Sequence, residues 1–306
     1  MRIILTGGAG FIGSHVAEAY LSEGHEVLII DNLSTGKEEN IPDGAKFEKI
    51  DIRSGKIKKI FRDFKPEILN HHAAQINLRY SIDHPVEDAE INILGMVNLL
   101  EAFREVNGKK VIFASSGGAM YGETEKIPTP EDHPPKPTSP YGTAKVTGEM
   151  YLYNYYYIHE IPYIALRYAN VYGPRQDPSG EAGVVAIFIS RILEGKTPRI
   201  YGDGEQTRDF VFVKDVAEAN LRALSSDFVG GINIGTGRET SVNALFSEIA
   251  SLLNYKEKPI YDDPIPGELR RSAIDNSIAK RVLGWEPRWR LREGLGETIQ
   301  FFLHRR

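Results

Sequence analysis

With 306 residues the chain can bury one large core or two packed lobes. Its 41% hydrophobic and 26% charged residues are ordinary for a soluble globular protein, and a net charge of −5 without a basic stripe argues against a nucleic-acid partner. The lack of cysteine excludes disulfides and thiol catalysis and suits a reducing compartment. No apolar stretch is long enough to span a bilayer, and the start of the chain runs directly into a strand with no room for a signal peptide, so a cytoplasmic protein is expected.

Residues 2–6 form a short apolar, β-branched run suited to a buried parallel strand. A glycine turn follows. Gly8, Gly10 and Gly13 fit G-x-G-x-x-G, and Gly7, Gly10 and Gly13 fit the wider G-x-x-G-x-x-G. Such glycines allow a tight turn and close approach of backbone to a pyrophosphate. The next helix carries Ile12, Val16, Ala19 and Tyr20 on one face, and its first residues offer free N–H groups for phosphate. A second strand over 26–30 ends in Asp31, where an acid accepts hydrogen bonds from an adenosine ribose. A carboxylate there repels a 2′-phosphate, and no Arg or Lys follows until Lys37, so NAD is favoured over NADP.

A third strand over 45–50 leads to Asp51 and Ile52. Asp51 has two readings, a bond to the adenine amino group or a cap for the following helix. A fourth run over 68–74 ends in Ala73 and Ala74, small enough for backbone to meet a cofactor. His71 and His72 are adjacent on a strand, point to opposite faces, and read as structural rather than as metal ligands. A helix over 88–106 is expected to bury Ile91, Leu94, Val97 and Leu100. Strands follow at 110–114 and 163–167, and a helix at 141–158. The six prolines of 126–140 require an ordered loop. This alternation predicts a doubly wound parallel α/β sheet (a Rossmann domain) over 1–173. Beyond it, strands at 199–201 and 210–213 and helices at 214–224 and 241–253 predict a smaller α/β substrate-binding lobe over 174–306, with the chain free to cross back.

The chemistry centres on Tyr141 and Lys145, one helical turn apart, with Ser115 and Ser116 upstream. A tyrosine has a reference pKa near ~10 and is a poor base at neutral pH. A lysine on the same helix face stabilises the phenolate and suits the tyrosine to exchange a proton with a hydroxyl.

On these motifs the chain resembles an extended short-chain dehydrogenase/reductase, and within it the UDP-glucose 4-epimerases. The resemblance runs nearly the whole length, through TGGAGFIGSH at 6–15, DNLSTG at 31–36, SPYGTAK at 139–145, RYANVYGPRQ at 167–176, GDGEQTRDFVFVKDVAEA at 202–219 and NIGTG at 233–237. It implies tightly held NAD, bound by Gly7, Gly10, Phe11, Ile12, Gly13, Asp31, Asn32, Asp51, Ile52, Ala73, Ala74, Asn92, Tyr141, Lys145 and Tyr168. It makes Tyr141 the base and Lys145 its partner and ribose ligand. The family's catalytic Ser or Thr lies in S-S-x-x-V-Y-G, but 115–122 is one residue longer. Counting back from Tyr121 selects Gly117. Counting forward from the strand selects Ser116, the preferred reading, because the glycine turn absorbs an extra residue more easily.

For a UDP-hexose the resemblance implies Ser116 and Asn170, backbone at Val185 and Ala186 for uracil, Arg208 for diphosphate, and Glu268 for ribose. Arg270 or Arg271 would reach the diphosphate or else make surface ion pairs. Ser272, a few places after Pro266-Gly267-Glu268, would leave room for a 2-substituent. The tyrosines of 151–157 are expected mainly to pack, some facing a second subunit of a homodimer. The resulting expectation is C4 epimerisation of UDP-glucose and UDP-galactose, with N-acetylated sugars also admitted. The alternatives are another nucleotide-sugar epimerase, a 4,6-dehydratase, a dTDP-sugar enzyme, or an NAD-sensing binding protein.

Overall fold

The computed structural model describes residues 1–179, 183–265 and 267–305. β1 (Arg2–Thr6) passes through the glycine turn into α1 (Phe11–Ser22), then β2 (Glu26–Asp31) and β3 (Lys46–Lys49). α2 (Ile57–Phe64) carries the chain back to β4 (Ile68–His71), on the opposite side of β1. Next come α3 (Leu78–Asp83), α4 (Pro85–Ala89), a π-turn over Glu90–Leu94, and α5 (Gly95–Glu105). β5 (Lys110–Ser116) ends in the one-turn α6 (Gly117–Met120), and α7 (Pro140–His159) leads to β6 (Tyr163–Tyr168).

The second half is shorter in its elements. It holds β7 (Asn170–Tyr172), α8 (Val184–Leu193), β8 (Arg199–Tyr201), β9 (Thr207–Arg208), β10 (Phe210–Phe212), α9 (Val213–Ala223), β11 (Gly230–Ile234), β12 (Thr240–Ser241), α10 (Val242–Leu252), β13 (Ile260–Asp262), α11 (Ser277–Leu283) and α12 (Leu291–His304). β11 is unforeseen in the sequence, since its two leading glycines hide the strand pattern. It joins the main sheet parallel to β6, giving the order β11-β6-β5-β4-β1-β2-β3. The order reverses between β1 and β4, and open α/β sheets bind ligands at the strand ends beside such a reversal.

Alternation along β1 divides the core. Ile3 and Leu5 join Val16, Tyr20, Ile112 and Ile164 on one face, and Ile4 joins Leu69, Phe103 and Phe113 on the other. A third cluster, around Phe188, Phe212, Phe246 and Leu295, joins α8, β10, α10 and α12, with Phe11 and Ile12 packed against it. The start of α1 therefore touches both the first and the third cluster, through Ile12.

Two expectations need correction. The π-turn shifts the helical register, so Leu94 is 61% exposed and the buried face runs through Met96, Leu99, Leu100 and Phe103. The tyrosines of 151–157 are mostly at the surface: Tyr153 and Tyr157 are 55% and 77% exposed, while Tyr155 is half-buried and donates to Glu101.

Candidate active site

The glycine turn sits at the carboxyl end of β1. Gly7 has φ +71°, and a Cβ there would lie 2.6 Å from the Ala73 nitrogen; one on Gly13 would lie 2.2 Å from the Gly7 oxygen. Side chains at either place would push the turn off the β4 end or off its own helix. Gly10 caps α1, so the N–H groups of Phe11, Ile12 and Gly13 lack helical partners and face the turn, with no acid in the first helical turn. Asp31, at the end of β2, is 7% exposed and accepts from Ala9 N at 3.1 Å and Leu33 N at 2.8 Å. A carboxylate has about four lone-pair sites, so two remain for hydroxyls. This cradle fits a dinucleotide: free amides for pyrophosphate, a carboxylate for ribose, and glycine where a Cβ would collide.

Asp51 accepts from Arg53 N at 2.8 Å and from its guanidinium at 2.9 and 2.8 Å, which holds the carboxyl down at about 2. α2 starts only at Ile57, so Asp51 caps a local turn and not that helix. Asn32 leans on Asp51 at 3.4 Å. The Ile52 side chain is buried against Gly95, and its carbonyl accepts from Asn98 at 2.7 Å. Ala73 and Ala74 are half-buried at the end of β4, with Ala73 N donating to Thr6 Oγ1 at 3.2 Å. Asn92 spends both amide hydrogens internally, on the Gln75 carbonyl and on Asp88.

Tyr141 lies in the first turn of α7, whose N-cap Ser139 accepts from Gly142 N at 3.1 Å. The Ser116 side chain lies near the Tyr141 hydroxyl and favours the phenolate. Lys145, one turn on, places its ammonium 5.6 Å from the Tyr141 ring centre and 4.9 Å from that of Phe113, and donates to Ala114 O at 2.8 Å. Burial dominates both groups: it pushes Tyr141 up to about 12, against the opposing pull of Ser116, and Lys145 down to about 8. The protein alone thus keeps the phenol protonated, contrary to the expected lowering. Ser115 is 3% exposed and donates to Glu149 at 2.6 Å, so it points away from Tyr141. β5 runs through Ser116 and α6 begins at Gly117, where a Cβ would lie 2.8 Å from Ile274.

His71 and His72 are structural here. His71 bonds Thr6 Oγ1 at 2.7 Å, His72 bonds the Tyr168 hydroxyl at 3.0 Å, and burial holds both neutral, His72 at about 3. No cluster of three metal-ligating side chains occurs among the described residues. Tyr168 is 5% exposed, with its hydroxyl held by His72 and by Asn220 at 2.8 Å, so that hydroxyl is committed to the core.

Asn170, at the start of β7, is half-buried, with its side-chain oxygen 3.7 Å from where a Gly118 Cβ would stand. Val185 and Ala186 bury their side chains, but they lie in the first turn of α8, where backbone N–H groups lack helical acceptors. Arg208 reaches Glu268 at 2.8 Å and Leu269 O at 2.9 Å, bringing together two residues 60 positions apart. Arg270 forms a bidentate pair with Asp203 at 2.7 and 3.0 Å, and Arg271 one with Glu239 at 2.9 and 2.5 Å; both are over half exposed. Both stand in surface ion pairs in this arrangement. Ser272 is half-buried, and Pro266 lies outside the described residues.

Several supporting residues escaped the sequence reading. Glu149 continues the helical spacing of Tyr141 and Lys145 and pairs with Arg167 at 2.6 Å. Arg167 donates to the Tyr121 hydroxyl at 2.9 Å, and Tyr121 to Asn233 at 2.8 Å, tying β5, β6, α7 and β11 beneath Ser116. Asp209, 1% exposed, gathers the N–H groups of Thr236 and Gly237. Ser81 accepts from Tyr141 N at 3.2 Å. The i, i+4 spacing was the available signal for Glu149; contacts like Ser81 to Tyr141 leave none.

The model of the NAD dependent epimerase/dehydratase family matches residues 3–235, and the chain belongs to that family. A UDP-glucose 4-epimerase from Thermotoga maritima, solved with UDP-glucose, is 47% identical with a TM-score of 0.98, covering 100% of this chain and 99% of that one. A UDP-glucose 4-epimerase from Thermus thermophilus, solved with NAD, is 43% identical at a TM-score of 0.94, covering 99% of each chain. A UDP-N-acetylglucosamine 4-epimerase from Methanobrevibacter ruminantium, in complex with UDP-N-acetylmuramic acid, is 37% identical at a TM-score of 0.95, covering 100% and 99%.

Proposed function

We propose that this protein interconverts UDP-glucose and UDP-galactose at carbon 4. The observation that carries this is Tyr141, with Ser116 near its hydroxyl and the Lys145 ammonium 5.6 Å from its ring centre, on a sheet whose first strand ends in the glycine turn of a dinucleotide site. The three UDP-sugar epimerases similar to it over full length support the same reading. NAD, held by the α1 amides and Asp31, supplies a reversible hydride acceptor. Tyr141 takes the proton of the sugar 4-hydroxyl and returns it, Ser116 holds that oxygen, and Lys145 supplies the charge that draws Tyr141 towards phenolate. Asn170 and Arg208 face the nucleotide sugar, with the α8 amides at Val185 and Ala186 for uracil. Arg208 must then exchange part of its pairing with Glu268 for phosphate. We assign 1–173 to the cofactor and 174–306 to the nucleotide sugar, with α9 and β11 crossing back onto the sheet.

A dehydratase needs an acid and a base beside the serine, and Gly117 and Gly118 exchange no proton. A sensing protein has no use for the Tyr–Lys pair. Incubation with a panel of UDP- and dTDP-sugars, without added NAD, tests the reading: epimers of UDP-hexoses are expected, and a stable 4-keto-6-deoxy product would overturn it.

The protein also pairs as a homodimer through α3–α5 and α7 in this reading. These adjoining helices expose Ile82 at 54%, Val86 at 72%, Leu94 at 61%, Met150 at 64% and Tyr157 at 77%, an apolar face that a second copy would cover. Light scattering of the parent should give twice the monomer mass, and Leu94→Glu with Tyr157→Glu should halve it. A monomeric parent at micromolar concentration counts against the dimer. No helix among the described residues is long and apolar enough to cross a membrane. With no cysteine to oxidise, the chain suits the reducing cytoplasm, where we place the reaction.

A further inference from the structure

We propose that Asp88 is a positioning residue for the Tyr141–Lys145 pair, a fixed internal counter-charge facing the start of the catalytic helix. This rests on the reading of Tyr141 and Lys145 as the proton-transfer pair. Asp88 is 1% exposed, an unusual place for a carboxylate. Its Oδ1 accepts from Gln75 Nε2 and Asn92 Nδ2, both at 2.9 Å. Gln75 and Asn92 bind each other in turn through Gln75 N to Asn92 Oδ1 at 2.9 Å and Asn92 Nδ2 to the Gln75 carbonyl at 3.0 Å. The clamp fixes where the charge sits. Asp88 lines one cleft with Ser139, Pro140, Thr143 and Ala144, the first turn of α7. Ser81, from the same α3–α4 layer, holds the Tyr141 N–H.

A buried ammonium is costly without an opposite charge. One hydrogen of Lys145 goes to Ala114 O, and Asp88 is the carboxylate whose field favours its charged form. The same field disfavours the Tyr141 phenolate. Burial pushes the Asp88 carboxyl up, while the Gln75 and Asn92 bonds and the Lys145 charge favour its carboxylate form. The α7 groups that its field reaches are Lys145 and Tyr141; His71 and His72 at the β4 end flank Lys145 and stay neutral. On its own layer, Glu87 turns out to Tyr80, Glu90 lies 3.7 Å from Arg53, and Asp83 and His84 are exposed.

Removing the negative charge lowers both pKa values: phenolate becomes easier to form, and ammonium harder to keep. Asp88→Asn retains shape and acceptor oxygen. Both limbs of its kcat/KM–pH profile should move to lower pH by roughly half a unit, less than the 1–3 units of a directly touching pair. Asp88→Glu keeps the charge and should restore the parent limbs. Asp88→Ser carries the same comparison should Asp88→Asn not fold. Limbs that stay in place while only the rate falls would overturn the proposal, as would loss of folded protein in both neutral variants, since each marks a merely structural carboxylate. Tyr141→Phe in the same series separates the two readings: full activity there sinks the proton-transfer pair itself, whatever Asp88 does.

Discussion

Glu149→Gln probes the ion pair beneath the serines. The Arg167 and Glu149 side chains are 14% and 11% exposed, joined by three nitrogen–oxygen contacts of 2.6 to 3.1 Å, with Ser115 on the same carboxylate. The glutamine keeps the shape and removes the charge, leaving a guanidinium that is mostly buried and uncompensated. Breaking one side of a buried pair costs about 3–5 kcal/mol, and residual exposure puts this case at the lower end, about 3 kcal/mol. At about 2.1 cal/mol/K per residue, a chain of this length unfolds with an entropy of about 0.64 kcal/mol/K, so Tm should fall by about 5 °C. Ser115 is anchored to Glu149 and neighbours Ser116, so kcat should also drop, by about tenfold for a small misplacement of the strand end. Calorimetry and initial rates on the same preparation give both numbers. Adding Arg167→Met should recover most of the lost stability, because a neutral pair carries no buried charge. A Tm within ~1 °C of the parent, with kcat unchanged, would refute the view that this pair holds the serine end of β5.

Tyr141→Phe should fold and retain NAD yet turn over at least ~100-fold more slowly, as expected for loss of an acid–base group. Ser116→Ala should cost less in rate than Tyr141→Phe and more than Ser115→Ala; the reverse order of the serines would move the catalytic hydroxyl to Ser115. NAD should survive purification, and NADP as the predominant nucleotide released on denaturation would contradict the role given to Asp31. Ser272→Tyr should lower kcat/KM for UDP-N-acetylglucosamine relative to UDP-glucose, since the ring would fill the space an acetamide needs. An unchanged ratio would remove Ser272 from the sugar pocket.

What the sequence disclosed follows from how local each constraint is. The glycine turn was legible because Gly7 and Gly13 admit no Cβ, a demand that shows as glycine in any sequence. Asp31 was legible because it ends a strand whose β-branched run is unmistakable, and Tyr141 with Lys145 because one helix fixes their spacing. β11 was hidden by Gly230 and Gly231, and the π-turn at Glu90–Leu94 displaced a helical face by a change no residue announces. The dyad's supports were hidden for another reason. Ser81 meets Tyr141 across 60 residues, and Glu149 meets Ser115 across 34.

That division has a physical basis in the chemistry. A tyrosine pushed up to about 12 beside a lysine pushed down to about 8 is poised wrongly for a base, and no property of either side chain corrects it. Correction must come from charge brought near them by folding or by the bound dinucleotide. The motif therefore names the reacting groups, while their working pKa values belong to the surrounding fold, where Asp88 and Ser116 pull Tyr141 in opposite directions.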